Sequence, residues 1–250
     1  MKSRFGAAWE RLASPAIAHR GLWAADGPPE NSLAAFEAAS EAGYGIELDV
    51  QLSSDGEAMV FHDADLGRMT GVQGRLSDHT AADLGAMRLA GGEETIPTLA
   101  EALVVVGRRS MVLIEVKAPY GEVGPLERRI CDVLIDHAGP TAVIGFNPYS
   151  HAWFADHHPQ ILRGLNSAAR VGEEGRRMAP EQRAAFSRLE HVELARPHFL
   201  ALGLDILPSA RAAALRAGGM PVIAWTARSA EDWLRVRDHC DNQIFEGYAP

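Results

Sequence analysis

The sequence predicts an α/β fold, a TIM (β/α)8 barrel, and three observations support it. The chain has 250 residues, 47% of them hydrophobic, so it can bury a core of the size that such barrels contain. Short apolar runs of strand length alternate along it with amphipathic segments of helix length, as in parallel βα units. About eight such runs occur, the number that closes a barrel. We therefore expect one TIM-barrel domain spanning residues 1–250.

Each predicted strand is a short apolar run bounded by turn-forming residues. The second and third runs carry charged residues at alternate positions, whereas the intervening positions are apolar. The predicted strands cover residues 16–20, 45–52, 111–117, 142–147, 161–166, 199–206, 221–226 and 242–246.

The helices are predicted between these strands, and glycine marks the end of the clearest ones. Glycine just past the last helical residue favours termination because it adopts left-handed backbone angles easily. The helices that end this way cover residues 32–42, 98–106, 125–138 and 209–217. Further helices are predicted at 150–156, within 180–194 and at 230–239.

One connection is much longer than the usual loop of a βα unit. Residues 65–96 separate the second strand from its helix, and we interpret them as a small insertion. Because barrels place their active sites at the carboxyl ends of the strands, this insertion is positioned to cap a pocket; a loop without a functional role is the alternative. A mixed-charge segment at 173–177 is expected to be a solvated loop.

Acidic side chains on two predicted strands indicate a metal site. Glu47 and Asp49 are two residues apart, so they project from the same face of their strand. Glu115 and Lys117 repeat this spacing on the next strand. Three carboxylates without a thiolate favour a hard divalent cation, Mg²⁺ or Ca²⁺, over structural zinc. A solvent-exposed strand face is the alternative for the first pair alone.

Two histidines fall near the same predicted edge of the sheet. His19 and Arg20 end the first strand, and His62 follows a short apolar run that we expect to return as a hairpin-like extension of the second. Histidine is the usual proton carrier at neutral pH, and arginine and lysine bind phosphate. Together with the carboxylates, these residues predict metal-assisted cleavage of a phosphate ester.

Composition argues against several other classes of protein. The formal charge is −9 and no Lys/Arg-rich run occurs, so we expect no nucleic-acid partner. The two cysteines, Cys131 and Cys240, lack metal-site spacing, which is typical of a reduced cytoplasmic chain. We expect neither a secretory leader nor stable membrane insertion. The partner predicted is a small-molecule phosphodiester, and the oligomeric state is left open.

Six short motifs in order resemble those of the glycerophosphodiester phosphodiesterase family, and the similarity spans nearly the whole chain. Any one motif is weak, but six at suitable spacings are specific. They are His19-Arg20-Gly21, Pro29-Glu30-Asn31-Ser32, Glu47-Leu48-Asp49-Val50, His62-Asp63, Ile96-Pro97-Thr98-Leu99 and Glu115-Val116-Lys117.

This resemblance implies a TIM-type barrel with an insertion after the second strand. It also implies divalent-metal-dependent hydrolysis of glycerophosphodiesters to sn-glycerol 3-phosphate and an alcohol. Carried over by motif, Glu47, Asp49 and Glu115 are expected to be the metal ligands.

The resemblance further implies the residues that act on the phosphate. His19 and His62 are expected to be the general acid and base, and Arg20 and Lys117 the phosphate contacts. The motifs do not say which histidine is the base. Direct attack by water and a cyclic glycerophosphate intermediate both stay open.

Other expected substrate-binding residues are Glu30 and Asn31, which match the motif that orders the mouth of the site. Trp225 resembles the family's aromatic at the pocket mouth, with a buried structural tryptophan as the alternative. Asn147, at the end of the fourth strand, is placed to reach the ligand. The chain departs from the common Thr-Asp-Xaa-Pro tail at 244–248, so no role is assigned there.

Three rival functions are weighed. A lysophospholipase D-like relative would need an apolar groove, for which Phe61, Met69 and Met87 are candidates. A member that binds a phosphodiester without cleaving it should lack a ligand or proton carrier, and none is missing. An unrelated TIM-barrel metal hydrolase or a structural barrel would not explain His19-Arg20 and His62 together.

Overall fold

The strands agree closely with those predicted. In the computed structural model, residues 2–119, 122–169 and 180–250 are described. The strands are β1 (Ile17–His19), β2 (Gly45–Leu52), β3 (Ala58–Val60), β4 (Val112–Val116), β5 (Thr141–Gly145), β6 (Arg163–Ser167), β7 (Phe199–Gly203), β8 (Val222–Ala227) and β9 (Asn242–Phe245).

Eight of these described strands close into a parallel barrel, which confirms the predicted (β/α)8 fold. From β2 the order runs through β4, β5, β6, β7 and β8 to β9. Strand β1 pairs with β9 on one side and β2 on the other, completing the ring. Because all eight strands are parallel, their carboxyl ends open at one rim.

Strand β3 is antiparallel to β2 and confirms the predicted hairpin-like extension. Val60 pairs with Val50, and the backbone N–H of Phe61 donates to the carbonyl of Asp49 at 3.0 Å. The hairpin thus returns the chain to the level of Asp49, one residue before His62.

The helices lie between the strands, with small differences from prediction. Three helices were not predicted, namely Lys2–Arg11 and the two short helices of the insertion, Gly67–Thr70 and Ala81–Gly85, and the predicted helix 125–138 ends at Leu134. The predicted strand 199–206 is shorter because a 3₁₀ turn, Leu204–Ile206, follows Gly203. The helices are α1 (Lys2–Arg11), α2 (Leu33–Glu41), α3 (Gly67–Thr70), α4 (Ala81–Gly85), α5 (Leu99–Val106), α6 (Pro125–Leu134), α7 (Pro148–His157), α8 (Pro180–Ser187), α9 (Val192–Ala195), α10 (Ala210–Ala217) and α11 (Ala230–Val236).

The strand side chains alternate between two hydrophobic cores. Leu48 and Ile114 point outward and pack in the layer between sheet and helices. Leu113 points into the barrel, in a cluster that includes Trp9 of α1. Glu115 is two residues further along the same face of β4, so the apolar interior gives way to polar side chains toward the carboxyl rim.

The insertion has a hydrophobic core of its own. Its short helices α3 and α4 and a 3₁₀ turn, Leu76–Asp78, surround side chains that are almost completely buried. These are Met59, Phe61, Leu66, Leu76, Leu84, Leu89 and Ile96. The insertion is therefore a folded element attached beside the barrel's β2–β3 hairpin.

Three further points concern the cysteines, membrane-spanning helices and the mixed-charge segment. Cys131 and Cys240 are both buried and form no disulfide. Within the described ranges, no helix combines the length and apolar character needed to cross a membrane. The mixed-charge segment at 173–177 lies outside the described residues.

Candidate active site

Three buried carboxylates meet inside the barrel. Glu47 and Asp49 project inward from β2, and Glu115 projects from β4, where it is the register partner of Asp49. Their side chains offer oxygen atoms that all lie within 4.8 Å of one another. The exposed fractions are 1%, 1% and 9%, so the cluster is largely withdrawn from water.

The electrostatics of this cluster fit a bound cation. Burial, together with repulsion from Asp49 and Glu115, raises the pKa of Glu47 well above its ordinary value. Oε1 of Glu47 is buried and has no hydrogen-bond partner among the described residues. A buried carboxylate oxygen without a partner is unfavourable unless a proton or a metal ion compensates it. Three hard oxygen donors at this spacing suit Mg²⁺ or Ca²⁺.

Two cationic side chains lie against the carboxylates. The Nζ atom of Lys117 is 2.9 Å from Oδ1 of Asp49 and 2.5 Å from Oε1 of Glu115. The Nε atom of Arg20 is 3.4 Å from Oδ2 of Asp49. Burial alone would raise the pKa of Asp49, but attraction to Lys117, His62 and Arg20 holds it well below its usual range. Asp49 is therefore ionised at neutral pH.

The conformation of the loop between β1 and α2 depends on Gly21, Asn31 and Ser32. Gly21 has a φ of +82°, and a Cβ atom there would lie 2.9 Å from the backbone of Ala35, so a larger residue would clash. The N–H of Asn31 donates to the carbonyl of Arg20 at 2.9 Å, which folds the loop back. The side chain of Ser32 then caps helix α2.

This loop delivers two polar side chains to the site. Asn31 donates from Nδ2 to Oδ2 of Asp49 at 2.8 Å. Glu30 accepts hydrogen bonds from Arg20 at 2.8 Å and from Arg68 of the insertion at 2.6 Å. Both residues are buried, so they organise the cluster and connect it to the insertion.

His19 lies at the carboxyl end of β1, beside the acidic cluster. Its Nε2 atom is 3.9 Å from Oε2 of Glu47, and its Nδ1 atom is 2.5 Å from Oε2 of Glu246. Burial lowers the pKa of His19 and outweighs the opposing effect of the Glu246 hydrogen bond. The ring is therefore neutral at neutral pH and can accept a proton.

His62 is held near the same cluster by the hairpin. The Nε2 atom of Gln51 donates to the carbonyls of Phe61 and Asp63, both at 2.8 Å, which fixes the segment on either side of His62. Nδ1 of His62 is 2.6 Å from Oδ1 of Asp63. The side chain is 32% exposed, which is compatible with a position at the mouth.

Asn147 and Trp225 differ in what they contact. The side chain of Asn147 donates to the carbonyls of Ala118 and Pro119 and caps α7 by accepting from Tyr149, so it supports the loop after Lys117. Trp225 packs edge-on against Phe146, with ring centroids 5.7 Å apart. Its buried indole N–H has no partner among the described residues and is available to a ligand. Substrate contact by either residue stays a prediction.

Sequence reasoning missed three polar residues at this rim. Glu246 directly follows β9, Asn166 lies on β6 and donates to Oε2 of Glu115 at 3.1 Å, and Asp63 adjoins His62. Each lies near the carboxyl end of a strand or beside a motif histidine, which is the signal that would have identified it.

Together, one rim carries an acidic cluster, two cations and two imidazoles. Carboxylates can hold a divalent cation, guanidinium and ammonium groups can bind phosphate, and imidazoles can transfer protons. The arrangement can therefore bind a phosphate ester and exchange protons with the oxygen atoms on either side of phosphorus.

Comparison with known protein families yields one match over most of the chain. The profile of the "Glycerophosphoryl diester phosphodiesterase family" matches residues 19–240. This span includes all the predicted metal ligands and both histidines.

The chain is also similar in sequence to three individual proteins that are named glycerophosphodiester phosphodiesterase. A glycerophosphodiester phosphodiesterase of Caldanaerobacter subterraneus subsp. tengcongensis is 36% identical over 60% of this chain and 65% of its own length. One from Bacillus altitudinis is 40% identical over 40% of this chain and 43% of its own length. The chain thus aligns with less than two thirds of either relative. A Bacillus subtilis glycerophosphodiester phosphodiesterase is 28% identical over 93% of this chain and 83% of its own length.

Solved structures share the whole architecture. A phosphodiesterase from Oleispira antarctica, in complex with the product sn-glycerol-3-phosphate, superimposes with a TM-score of 0.79 and 26% identity, covering 96% of this chain and 94% of its own. A glycerophosphodiester phosphodiesterase from Thermotoga maritima has a TM-score of 0.71 and 26% identity, covering 93% of this chain and 94% of its own.

Proposed function

Because the chain belongs to the glycerophosphoryl diester phosphodiesterase family, we propose that it hydrolyses glycerophosphodiesters to sn-glycerol 3-phosphate and an alcohol, with a bound divalent cation. Family membership confirms the resemblance of the sequence motifs. The observation that carries the proposal is the meeting of Glu47, Asp49 and Glu115 within 4.8 Å at the rim that also holds His19.

The metal site consists of Glu47, Asp49 and Glu115, with the cation Mg²⁺ or Ca²⁺. When bound, such a cation neutralises charge on the phosphoryl oxygens and lowers the pKa of a bound oxygen nucleophile. The unpartnered Oε1 of Glu47 supports this assignment.

Arg20 and Lys117 bind the phosphate in this proposal. Burial opposes the charged form of Lys117, but Asp49 and Glu115 raise its pKa overall, so it stays protonated. Arg20 is oriented by its hydrogen bond to Glu30 at 2.8 Å. Two fixed positive charges at the phosphoryl oxygens stabilise the charge that develops there.

His19 and His62 carry the two proton transfers. A phosphodiester requires one proton removed from the attacking oxygen and one delivered to the leaving alcohol. Both rings have Nδ1 engaged by a carboxylate, so Nε2 is the atom that remains for substrate. Water or the adjacent glycerol hydroxyl is the attacking oxygen, and detection of a cyclic glycerophosphate would identify the hydroxyl.

The insertion borders the mouth and selects the alcohol group in this proposal. Arg68 of α3 contacts Glu30 and Asp63, at 2.6 and 2.5 Å. Phe61 is buried in the core of the insertion, with Met69 and Met87 packed against that core, so these three side chains do not supply the apolar groove that a lysophospholipid needs. A substrate whose glycerol carries no acyl chain, such as glycerophosphocholine or glycerophosphoethanolamine, therefore suits the site better than a lysophospholipid.

The direct test is an activity assay with three substrates and a chelator. We expect glycerol 3-phosphate and the free alcohol to be released from glycerophosphocholine and glycerophosphoethanolamine. Lysophosphatidylcholine, whose cleavage would give choline and lysophosphatidic acid, should be turned over much more slowly. Activity should disappear in EDTA and return on adding Mg²⁺ or Ca²⁺, and calorimetric titration with each ion alone should give its affinity.

Specific outcomes would contradict each part. Binding of glycerophosphocholine without turnover would point to a non-catalytic binder. Faster turnover of the lysophospholipid would favour the lysophospholipase D alternative. Undiminished activity in EDTA, with no metal detected in the protein, would exclude the cation.

A further inference from the structure

His19 has a carboxylate partner contributed by the opposite end of the chain. Strands β1 and β9 are paired, with Ala18 opposite Phe245, so the next residues along, His19 and Glu246, meet at the rim. The Nδ1 and Oε2 atoms are 2.5 Å apart, and both side chains are largely buried, at 14% and 13% exposed. A carboxylate at this position orients an imidazole and selects its tautomer.

The other carboxylate oxygen of Glu246 forms an ion pair with Arg228. The Nε atom of Arg228, which directly follows β8, lies 2.6 Å from Oε1 of Glu246. The backbone N–H of Glu246 also donates to the carbonyl of Ala227 at 3.0 Å. Both carboxylate oxygens and the backbone are therefore fixed, which leaves Glu246 little freedom to turn away from His19.

The same three-part arrangement recurs at His62. Its Nδ1 atom is 2.6 Å from Oδ1 of Asp63, and the other oxygen of Asp63 is 2.5 Å from Nε of Arg68. The order imidazole, carboxylate, guanidinium thus occurs twice at one rim, built from unrelated parts of the chain. One such contact is common in proteins, but its repetition at both histidines indicates a shared requirement for orientation.

We propose that Glu246 is a positioning residue that keeps the ring proton of His19 on Nδ1 and directs Nε2 toward the carboxylate cluster, with Arg228 holding Glu246 in place. The 3.9 Å separation of Nε2 from Oε2 of Glu47 is the geometry that this orientation produces. The catalytic consequence rests on the proposed function, since it requires that His19 transfers a proton.

Glu246→Ala tests the kinetic part. We expect kcat for glycerophosphocholine to fall roughly tenfold to a hundredfold, the usual cost of losing a residue that orients a site histidine, with KM little changed. Glu193→Ala is the matched control, because Glu193 forms an ion pair with Arg211 on an exposed surface and should retain wild-type kcat.

A double-mutant cycle separates positioning from a merely structural role. If Glu246 acts through His19, the Glu246→Ala change should cause no further loss in a His19→Ala background. An equal fractional loss in both backgrounds would show that Glu246 acts independently of His19 and would overturn the proposal.

A spectroscopic measurement tests the geometry without activity. In protein labelled with ¹⁵N-histidine, we expect His19 to show the Nδ1–H tautomer in the wild type and a mixture or the Nε2–H form in Glu246→Ala, while His62 is unchanged. An unchanged His19 tautomer would overturn the proposal even if the protein is an active phosphodiesterase. The reverse outcome separates the two proposals. If Glu246→Ala loses the Nδ1–H tautomer but the wild-type protein cleaves no glycerophosphodiester, the positioning role of Glu246 stands and the proposed function is refuted.

Folding is checked by thermal unfolding of each variant. If Glu246→Ala does not fold, Arg228→Met replaces it, because this exposed change leaves Glu246 present but removes its ion pair. We expect a smaller loss of kcat, under about tenfold, with a broadened or shifted His19 signal. Wild-type kcat and an unperturbed His19 signal in Arg228→Met would contradict the role of that ion pair.

Discussion

Asn31 and Asp49 form two reciprocal hydrogen bonds: Nδ2 of Asn31 donates to Oδ2 of Asp49 at 2.8 Å, and the backbone N–H of Asp49 donates to Oδ1 of Asn31 at 3.3 Å. The loop after β1 thereby fixes a predicted metal ligand on β2. Asn31 has a φ of +58°, a left-handed conformation that asparagine tolerates better than most residues.

This relationship predicts that Asn31 controls metal affinity. Replacing it with glycine removes the hydrogen bonds without adding backbone strain, and we expect metal affinity to fall roughly tenfold to a hundredfold. Asn31→Ala should cause the same loss and also destabilise the fold by about 1–2 kcal/mol, since alanine is strained at this φ. Calorimetric metal titration and urea unfolding measure the two effects separately. Equal metal affinity in wild type and Asn31→Gly would exclude a role for the hydrogen bonds.

Glu47→Gln should weaken metal binding without preventing folding. Glutamine keeps the size of the side chain but removes one of the three negative charges, and it relieves the repulsion that raises the pKa of Glu47. We expect excess Mg²⁺ or Ca²⁺ to restore part of the rate, so the metal concentration for half-maximal activity rises. Glu57→Gln, on the turn before β3, is the control and should bind metal as the wild type does. If no metal concentration raised the rate of Glu47→Gln, weaker metal binding alone would not explain the loss of activity, and the assignment of Glu47 as only a metal ligand would be wrong.

His19→Ala and His62→Ala should each lower turnover of glycerophosphocholine by roughly two to four orders of magnitude. A substrate with a p-nitrophenolate leaving group needs no proton on the departing oxygen, so it should rescue only the variant that lacks the general acid. Comparing the two substrates for both variants therefore assigns acid and base. His239→Ala, in an exposed 3₁₀ turn, should behave as wild type. Wild-type turnover by His62→Ala would show its assignment to be wrong.

The buried side chain of His151, outside the candidate active site, should make the stability of the fold depend on pH. It is fully buried, its Nε2 lies 3.0 Å from the carbonyl of Gly145, and burial lowers its pKa to about 4 despite that hydrogen bond. Because the unfolded chain has the higher pKa of about 6.5, the stabilisation is complete above that value and is lost as pH falls toward 4.

The expected loss in free energy of unfolding between about pH 7.5 and about pH 5 is about 2 kcal/mol from this group. Urea unfolding at both values measures it, and His151→Gln should reduce the difference between them by that amount. His239→Gln, an exposed counterpart, should leave the difference unchanged. Retention of the full pH difference in His151→Gln would mean that other groups cause it.

Much of the fold was predictable because strand signals are local. Alternation along β2 places Glu47 and Asp49 on one face of the strand and Leu48 on the other, since side chains two apart share a face. Closure of the barrel makes the face with the carboxylates the inner one. Parallel strands then put Glu115 at the same edge as Asp49. Thus the barrel class, the hairpin before His62 and the meeting of the three carboxylates followed from the sequence.

Contacts between distant segments were decided only by the tertiary structure. His19 and Glu246 are 227 positions apart and meet because β1 and β9 pair when the barrel closes, which no local pattern specifies. The side chain of Asn147 caps α7 and holds the loop after Lys117, two contacts that its predicted position at a strand end did not specify. Local alternation determines the face on which a side chain lies, whereas its hydrogen-bond partner depends on the register and packing of strands far apart in the chain.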